Sequence, residues 1–368
     1  MENTTSENKK PARILSVDTL RGFDMFWISG GEEFFLALFA FFGWTGISQQ
    51  LHHASWSGFH FYDLIFPLFM FLVGVSMPLS ITRRLQKGDS KKEIYKHVIR
   101  RTILLYLLGM IYNGSLDLNF ENFRYTGVLH RIAFAYMFAA FIITNFKQKG
   151  QIIWILALTF GYWLLLLLVP VPGYGAYNLT PEGNLCAFID QQFLPGRFCC
   201  YGFGDSEGIL SNFPSIASVL VGVLAGNLLI SQISHAKKIK QMLIAGVVLI
   251  VAALLWNFIY PINKYLWTGS FVSITSGISL LLLCLCYWVI DVKRYTKWTF
   301  PFRIYGLNSI TIYIASGIFD FGIVAKIFVG GFYTELGDFS TTFLELTIMT
   351  VKWLFLYFLY RKNIFLKV

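Results

Sequence analysis

Continuous runs of Leu, Ile, Val and Phe dominate the chain, separated at short intervals by polar clusters. An α-helix crossing about 30 Å of hydrocarbon needs roughly 20 such residues. Ten stretches reach or approach that length, near 22–43, 60–82, 101–116, 125–146, 151–170, 212–233, 241–260, 267–290, 303–322 and 341–360. The third is short and the ninth has ill-defined ends. In lipid every backbone N–H and C=O needs an internal partner, so the runs are expected to be helices and not open strands. A membrane barrel would alternate apolar and polar residues within short segments, and these runs do not. The expected fold is therefore an all-α polytopic membrane protein of about 10 transmembrane helices. No repeat and no Pro/Gly linker divides it, so residues 16–368 read as one membrane domain. The polar segment 1–15 is expected to be disordered. The first apolar run is too long for a cleavable signal peptide and lacks a small-residue cleavage site.

Composition agrees. Apolar residues make up 56% and charged residues 14% of the chain, against about 25% charged in a soluble domain. That excludes a disordered chain and an ordinary soluble globule. A net charge of +10 is compatible with nucleic acid, but the hydropathy is not. The charge instead orients the helices. With the N-terminus inside, 24 of the 30 Lys and Arg fall on cytoplasmic segments and 6 on the other side. The positive-inside rule then places both termini in the cytoplasm, and the expected location is a bacterial inner membrane. The longest outer segment, 171–211, is rich in Gly, Pro and Tyr and suits a cover over a site. It holds Cys186, Cys199 and Cys200, with Cys186 free to pair with either of the others on an oxidising side. Cys284 and Cys286 lie in an apolar helix and suit packing. No Cys/His spacing indicates zinc, and no metal is expected.

Ionisable groups at membrane depth cost about 2.5–3.5 kcal/mol each at a helix centre, so they mark candidate chemistry. The first stretch carries Asp18, Arg21, Asp24, Glu32 and Glu33. Asp18 and Arg21 suit either a local helix-start pair or a phosphate contact. The second stretch opens with His53, Trp56, His60 and Asp63, whose spacing puts them on one helical face if the helix runs through Gly58. A His beside a buried carboxylate acts as a proton acceptor near neutral pH, the acid holding its tautomer; a His that only caps a helix is the plain alternative. Arg131 needs a carboxylate, with Asp63, Glu32 and Glu33 as candidates. Asp205 and Glu207 suit either a site or a helix N-terminus. Asn263, Lys264 and Trp267 suit either a site or an interfacial anchor. Asn308 lies inside the ninth stretch. The 83–101 loop, with Arg83 and Arg84 among its eight basic residues, suits anionic lipid or a polyphosphate such as coenzyme A. It contains no GxxxxGK[ST] loop, and the chain has no GxSxG elbow.

The run His53-Ala54-Ser55-Trp56-Ser57-Gly58, then Asp63-Leu64-Ile65-Phe66-Pro67, resembles the heparan-α-glucosaminide N-acetyltransferase family. Further blocks agree in the same order. They are Ser16-Val17-Asp18-Thr19-Leu20-Arg21-Gly22, Gly127-Val128-Leu129-His130-Arg131, and Glu207-Gly208-Ile209-Leu210-Ser211 with Pro214. Pro261-Ile262-Asn263-Lys264-Tyr265-Leu266-Trp267-Thr268 and Gly306-Leu307-Asn308-Ser309 follow. The resemblance implies an enzyme moving acetyl from cytosolic acetyl-CoA to an amino sugar across the membrane, and a homodimer. It puts the catalytic His at His53, as general base or as transient acetyl carrier, and the motif acid at Asp63. Arg21, Arg131, Asn308, Arg83 and Arg84 are then expected around the coenzyme. Trp56, Glu32, Glu207, Asn263, Lys264 and Trp267 are expected around the acceptor. Two departures stand out: Ile28 or Ser29 stands before Gly30-Gly31 where the family's lysosomal enzyme has an Asn, with Glu32 and Glu33 following, and His130 replaces a Gln. Two rivals remain at this stage, an O-acyltransferase of a cell-envelope glycan and an ion-coupled transporter.

Overall fold

A computed structural model describes residues 14–119 and 121–366 of the chain. The segment expected to be disordered therefore lies almost wholly outside the described residues. The helices in chain order begin with α1 Leu15–Phe26, α2 Glu32–Phe41, α3 Thr45–Ser48, α4 Ile65–Gln86 and α5 Lys91–Tyr112. Next come α6 Val128–Asn145, α7 Gln148–Leu168, α8 Leu185–Phe193, α9 Asn212–Ile230 and α10 His235–Trp256. The last are α11 Gly269–Cys286, α12 Phe300–Leu307, α13 Ser309–Ile318, α14 Phe321–Val329 and α15 Ser340–Arg361. Among the described residues the only β-type pairing is three isolated bridges, so the all-α expectation holds.

Among the described residues seven helices are long and apolar enough to cross a membrane, and the pair α13/α14 makes an eighth if counted as one bent span. Eight of the ten stretches read from the sequence are matched in this way, and the first and third are not. The first predicted stretch is two helices, because Ser29 and Gly30 leave helical geometry and Gly30 takes a φ of +135°. The third runs back into the basic segment. Ser90 and Glu93 form a capping box there that starts α5 at Lys91. The ninth is cut at Asn308 and then bent by 79° at Phe319-Asp320.

The bundle packs through small residues, as expected where lipid offers no hydrophobic drive between helices. A Cβ on Gly222 would lie 2.0 Å from the Phe71 carbonyl oxygen, and one on Gly74 1.9 Å from that of Val219. The backbones of α4 and α9 therefore touch. Gly22 does the same for α1 against Phe302, just before α12's midpoint, at 1.6 Å. By contrast, α7 and α10 expose Ile153, Leu164, Val248 and Leu255, which suits a lipid-facing surface. The Asp291 carboxylate accepts the backbone N–H groups of Leu15 and Ser16, both at 3.2 Å, so α1 starts at the end of the bundle where α11 finishes. The C-terminal residues Phe365 and Leu366 share a cavity there with Arg21, Arg84 and Lys87.

Candidate active site

The residues with the strongest sequence signal meet at the opposite end of α4. The segment between His52 and His60 is not helical. The predicted face of His53, Trp56, His60 and Asp63 therefore does not form. Gly58, at φ +123°, turns the chain instead. Its N–H donates to the Ile262 carbonyl at 2.8 Å, pinning this strap to the 261–268 loop. Asp63 caps the short helical turn it belongs to. One carboxylate oxygen accepts the N–H of His60 at 3.0 Å and that of Ala54 at 3.2 Å. The other lies 2.8 Å from Nδ1 of His53. His53 and Asp63 thus pair as the sequence suggested, through a loop and not along a helix. Asp63 is buried while the His53 side chain is 42% exposed, so a buried carboxylate anchors a partly exposed ring. His60 turns aside to the His52 carbonyl.

Lys264 completes the group from 211 residues away. Its ammonium is 2.9 Å from both ring nitrogens of His53 and 3.6 Å from Asp63. Equal distances to the two nitrogens put it over the ring and not in its plane. Burial pushes the Lys264 ammonium down, against the opposing pull of Asp63 and Glu207. The Tyr62 ring lies 5.0 Å from the His53 ring, and the Glu32 carboxylate lies close to both Tyr62 and His53. Trp56 stacks on Tyr265 at 5.3 Å and donates its N–H to the Leu179 carbonyl at 2.8 Å. Tyr62 and Tyr265 were not singled out in the sequence, because a Tyr among apolar residues carries no distinguishing pattern. The Oδ1 of Asn263 accepts the Leu266 N–H at 2.8 Å, while its Nδ2 is buried without a partner among the described residues.

Arg131 and Glu207 serve the cover. The fully buried Arg131 guanidinium donates to the Ser206 carbonyl at 2.7 Å, to Ser211, and to Asn212 at 3.2 Å, and stacks 4.4 Å from the Trp267 ring. None of its expected carboxylates is bonded to it. Trp267, in turn, donates its indole N–H to Ser218 at 3.2 Å. Glu207 joins Asp205 in clamping Arg124, and neither acid sits in the first turn of α9. This clamp holds Arg124 above its ordinary value despite burial, and it holds Asp205 low. The sulfur chemistry differs from expectation: Cys199 pairs with Cys200, and Cys186 is free and buried beside Tyr162.

At the basic end a set of neighbouring cavities shares lining residues. A volume of about 790 Å³ is lined by Asp18, Arg21, Ser76, Ser80, Arg84 and Lys87. It shares Arg21, Ser76, Ser80 and Leu366 with a second of about 300 Å³, which adds Arg101 and Tyr136. That one shares Phe69, Leu129 and Ile310 with a narrow apolar slot of about 20 Å³ ending at Met25, Ile28 and Phe66. Phe66 packs on Trp267 at 5.3 Å, three residues past Asp63. Arg21 donates to Ser76 at 2.6 Å, Arg84 pairs with Asp89 at 3.0 Å, and Asn308 donates to the Ile364 carbonyl at 3.2 Å. The Arg83 side chain lies outside the described residues.

Residues 13–255 match the catalytic region of heparan-alpha-glucosaminide N-acetyltransferase. The chain belongs to that family. It is 31% identical to the human heparan-alpha-glucosaminide N-acetyltransferase and 28% identical to the mouse one, with 97% of this chain aligned in each case. It spans 60% of the length of either relative. Lys264, Asn263 and Trp267 lie beyond the matched catalytic region, yet the fold brings Lys264 onto the His53 ring inside it. The family's matched segment and the later part of the chain therefore form one site.

Proposed function

We propose that this chain is a transmembrane acetyltransferase that takes acetyl from acetyl-CoA at its basic end and passes it to an amino sugar at the His53 end. The observation that carries this is the His53–Asp63–Lys264 group at one end of α4, with a cavity lined by Arg21, Ser76, Arg84 and Lys87 at the other. Asp63 and Ser76 are thirteen residues apart, about 20 Å along a helix, a span suited to an extended pantetheine arm. The arginines and lysine suit the phosphates. By the distribution of Lys and Arg this end is cytoplasmic.

An ammonium acceptor is not nucleophilic until it loses a proton. With Asp63 bonded to Nδ1, the His53 ring carries its proton there and leaves the Nε2 lone pair for that task. Asp63 then stabilises the imidazolium. The Lys264 ammonium and the unpartnered Asn263 Nδ2 are placed to hold negative charge developing on the acetyl oxygen. Glu32, Trp56 and the 171–211 cover would meet the sugar. A homodimer in a bacterial inner membrane completes the proposal. The breaks in α1/α2 and α13/α14 are the one observation favouring a carrier, since ion-coupled carriers use paired broken helices.

Release of free thiol from acetyl-CoA by the purified protein separates the readings. Thiol release that depends on glucosamine and disappears in His53→Ala is the expected result. No release with any amino sugar or glycan overturns the enzyme reading in favour of the carrier. Release with hydroxyl acceptors alone would make it an O-acyltransferase.

A further inference from the structure

Lys352 sits in the middle of α15, a 22-residue helix otherwise suited to lipid, where an ammonium is expensive. Its Nζ donates to the Ser29 carbonyl at 2.9 Å and lies 5.8 Å from the centre of the Phe321 ring. Ser29 and Gly30 are where the first membrane segment leaves helical geometry. A Cβ on Gly30 would come within 3.6 Å of the same Nζ, so the ammonium lies directly against the turn. Glu33, Glu345 and Asp320 supply the surrounding negative charge and line a cavity of about 410 Å³ with Lys352.

The break has a consequence two residues later. Glu32 is the first residue of α2; its carboxylate lies close to Tyr62 and His53, and the Tyr62 ring packs 5.0 Å from His53. The contacts thus run from Lys352 through Ser29, Glu32 and Tyr62 to the base. We infer that Lys352 is a positioning residue, fixing the break in the first membrane segment so that Glu32 and Tyr62 hold the His53 ring. The inference rests on the acetyl-transfer reading of His53, and its role does not require Lys352 to touch substrate.

The test uses the full chain in detergent or nanodiscs. Lys352→Met removes the donor but keeps an apolar stem that suits the membrane, and Lys352→Arg restores a cationic donor. Loss of one charge-assisted hydrogen bond should lower kcat about 10- to 100-fold, with KM for acetyl-CoA changed less than about twofold because the coenzyme cavity lies elsewhere. The Arg variant should recover most of the loss. Because the effect passes through Tyr62, combining Lys352→Met with Tyr62→Phe should cost little more than the worse single change. Hydrogen–deuterium exchange of residues 27–35 should rise in Lys352→Met and return in Lys352→Arg. Unchanged exchange in that segment overturns the inference whether or not the protein shows transferase activity. So does full kcat in Lys352→Met, or a loss that simply adds to that of Tyr62→Phe. A wild-type chain inactive in the same assay would count against the acetyl-transfer reading alone, and the exchange comparison would still decide the role of Lys352.

Discussion

His53 and Asp63 were legible as a pair because a His and an acid near a membrane entrance are costly unless they work together. Their geometry was not legible. A 3-4-3 spacing invites a helix, but Gly58 and the capping bonds of Asp63 fold the segment into a strap. Lys264 was visible only as one charged residue of a motif, since nothing in the local pattern shows a contact across 211 residues. The role given to Asp63 predicts that Asp63→Asn presents an N–H to His53 Nδ1, so that the ring proton moves to Nε2 and the base is lost. The kcat for acetyl transfer should fall about 10²- to 10⁴-fold with KM for acetyl-CoA little altered. A variant that keeps kcat within a few-fold of wild type would remove Asp63 from the mechanism. Asp190 makes a pH prediction in the cover. Burial pushes its carboxyl up to about 6 from an ordinary 3.8, although the Asp205 and Ile209 N–H groups pull it the other way. A raised folded value means the contribution to stability is full below the ordinary value and is lost as pH rises through about 6. Melting curves from pH 4 to 7 should therefore show wild type losing stability relative to Asp190→Asn, which stays neutral. Parallel curves would show that Asp190 is not buried in this way.

Among the elements, the long apolar helices were read well because a run of that length has no other stable state in lipid. The breaks were not, although their signals are present. Gly30-Gly31 followed by Glu32 is a poor helix centre, and Asp320 interrupts an apolar run before it caps α14. The 83–101 segment read as a loop because charge outweighed its periodicity, yet its capping box starts a helix at Lys91. The cover is the element whose wiring was least visible. Arg124 counted only toward topology, but it is the cation between buried Asp205 and Glu207, with Cys199 and Cys200 joined beside it. Arg124→Met should leave two uncompensated carboxylates, at a cost of about 3–5 kcal/mol. The measurement is thermal or denaturant unfolding of the purified protein, together with protease sensitivity of 171–211. Stability equal to wild type would mean that the acids find other partners and the clamp is not what holds the cover.

Over the whole molecule the net charge of +10 acquires a second use. By the positive-inside rule much of it would orient the bundle, and Arg21, Arg84, Lys87 and Arg101 also line cavities at the basic end. Small residues make this arrangement tight where it must be. Gly22, Gly74 and Gly222 bring α1, α4, α9 and α12 into backbone contact around those cavities. The central claim is that acetyl crosses the membrane through this interior. Proteoliposomes holding the wild-type chain, with radiolabelled acetyl-CoA confined to one face and glucosamine to the other, test it directly. The expected result is N-acetylated sugar on the face opposite the coenzyme, absent in His53→Ala vesicles. Product only when coenzyme and sugar share a face, or transfer that persists without His53, would contradict it.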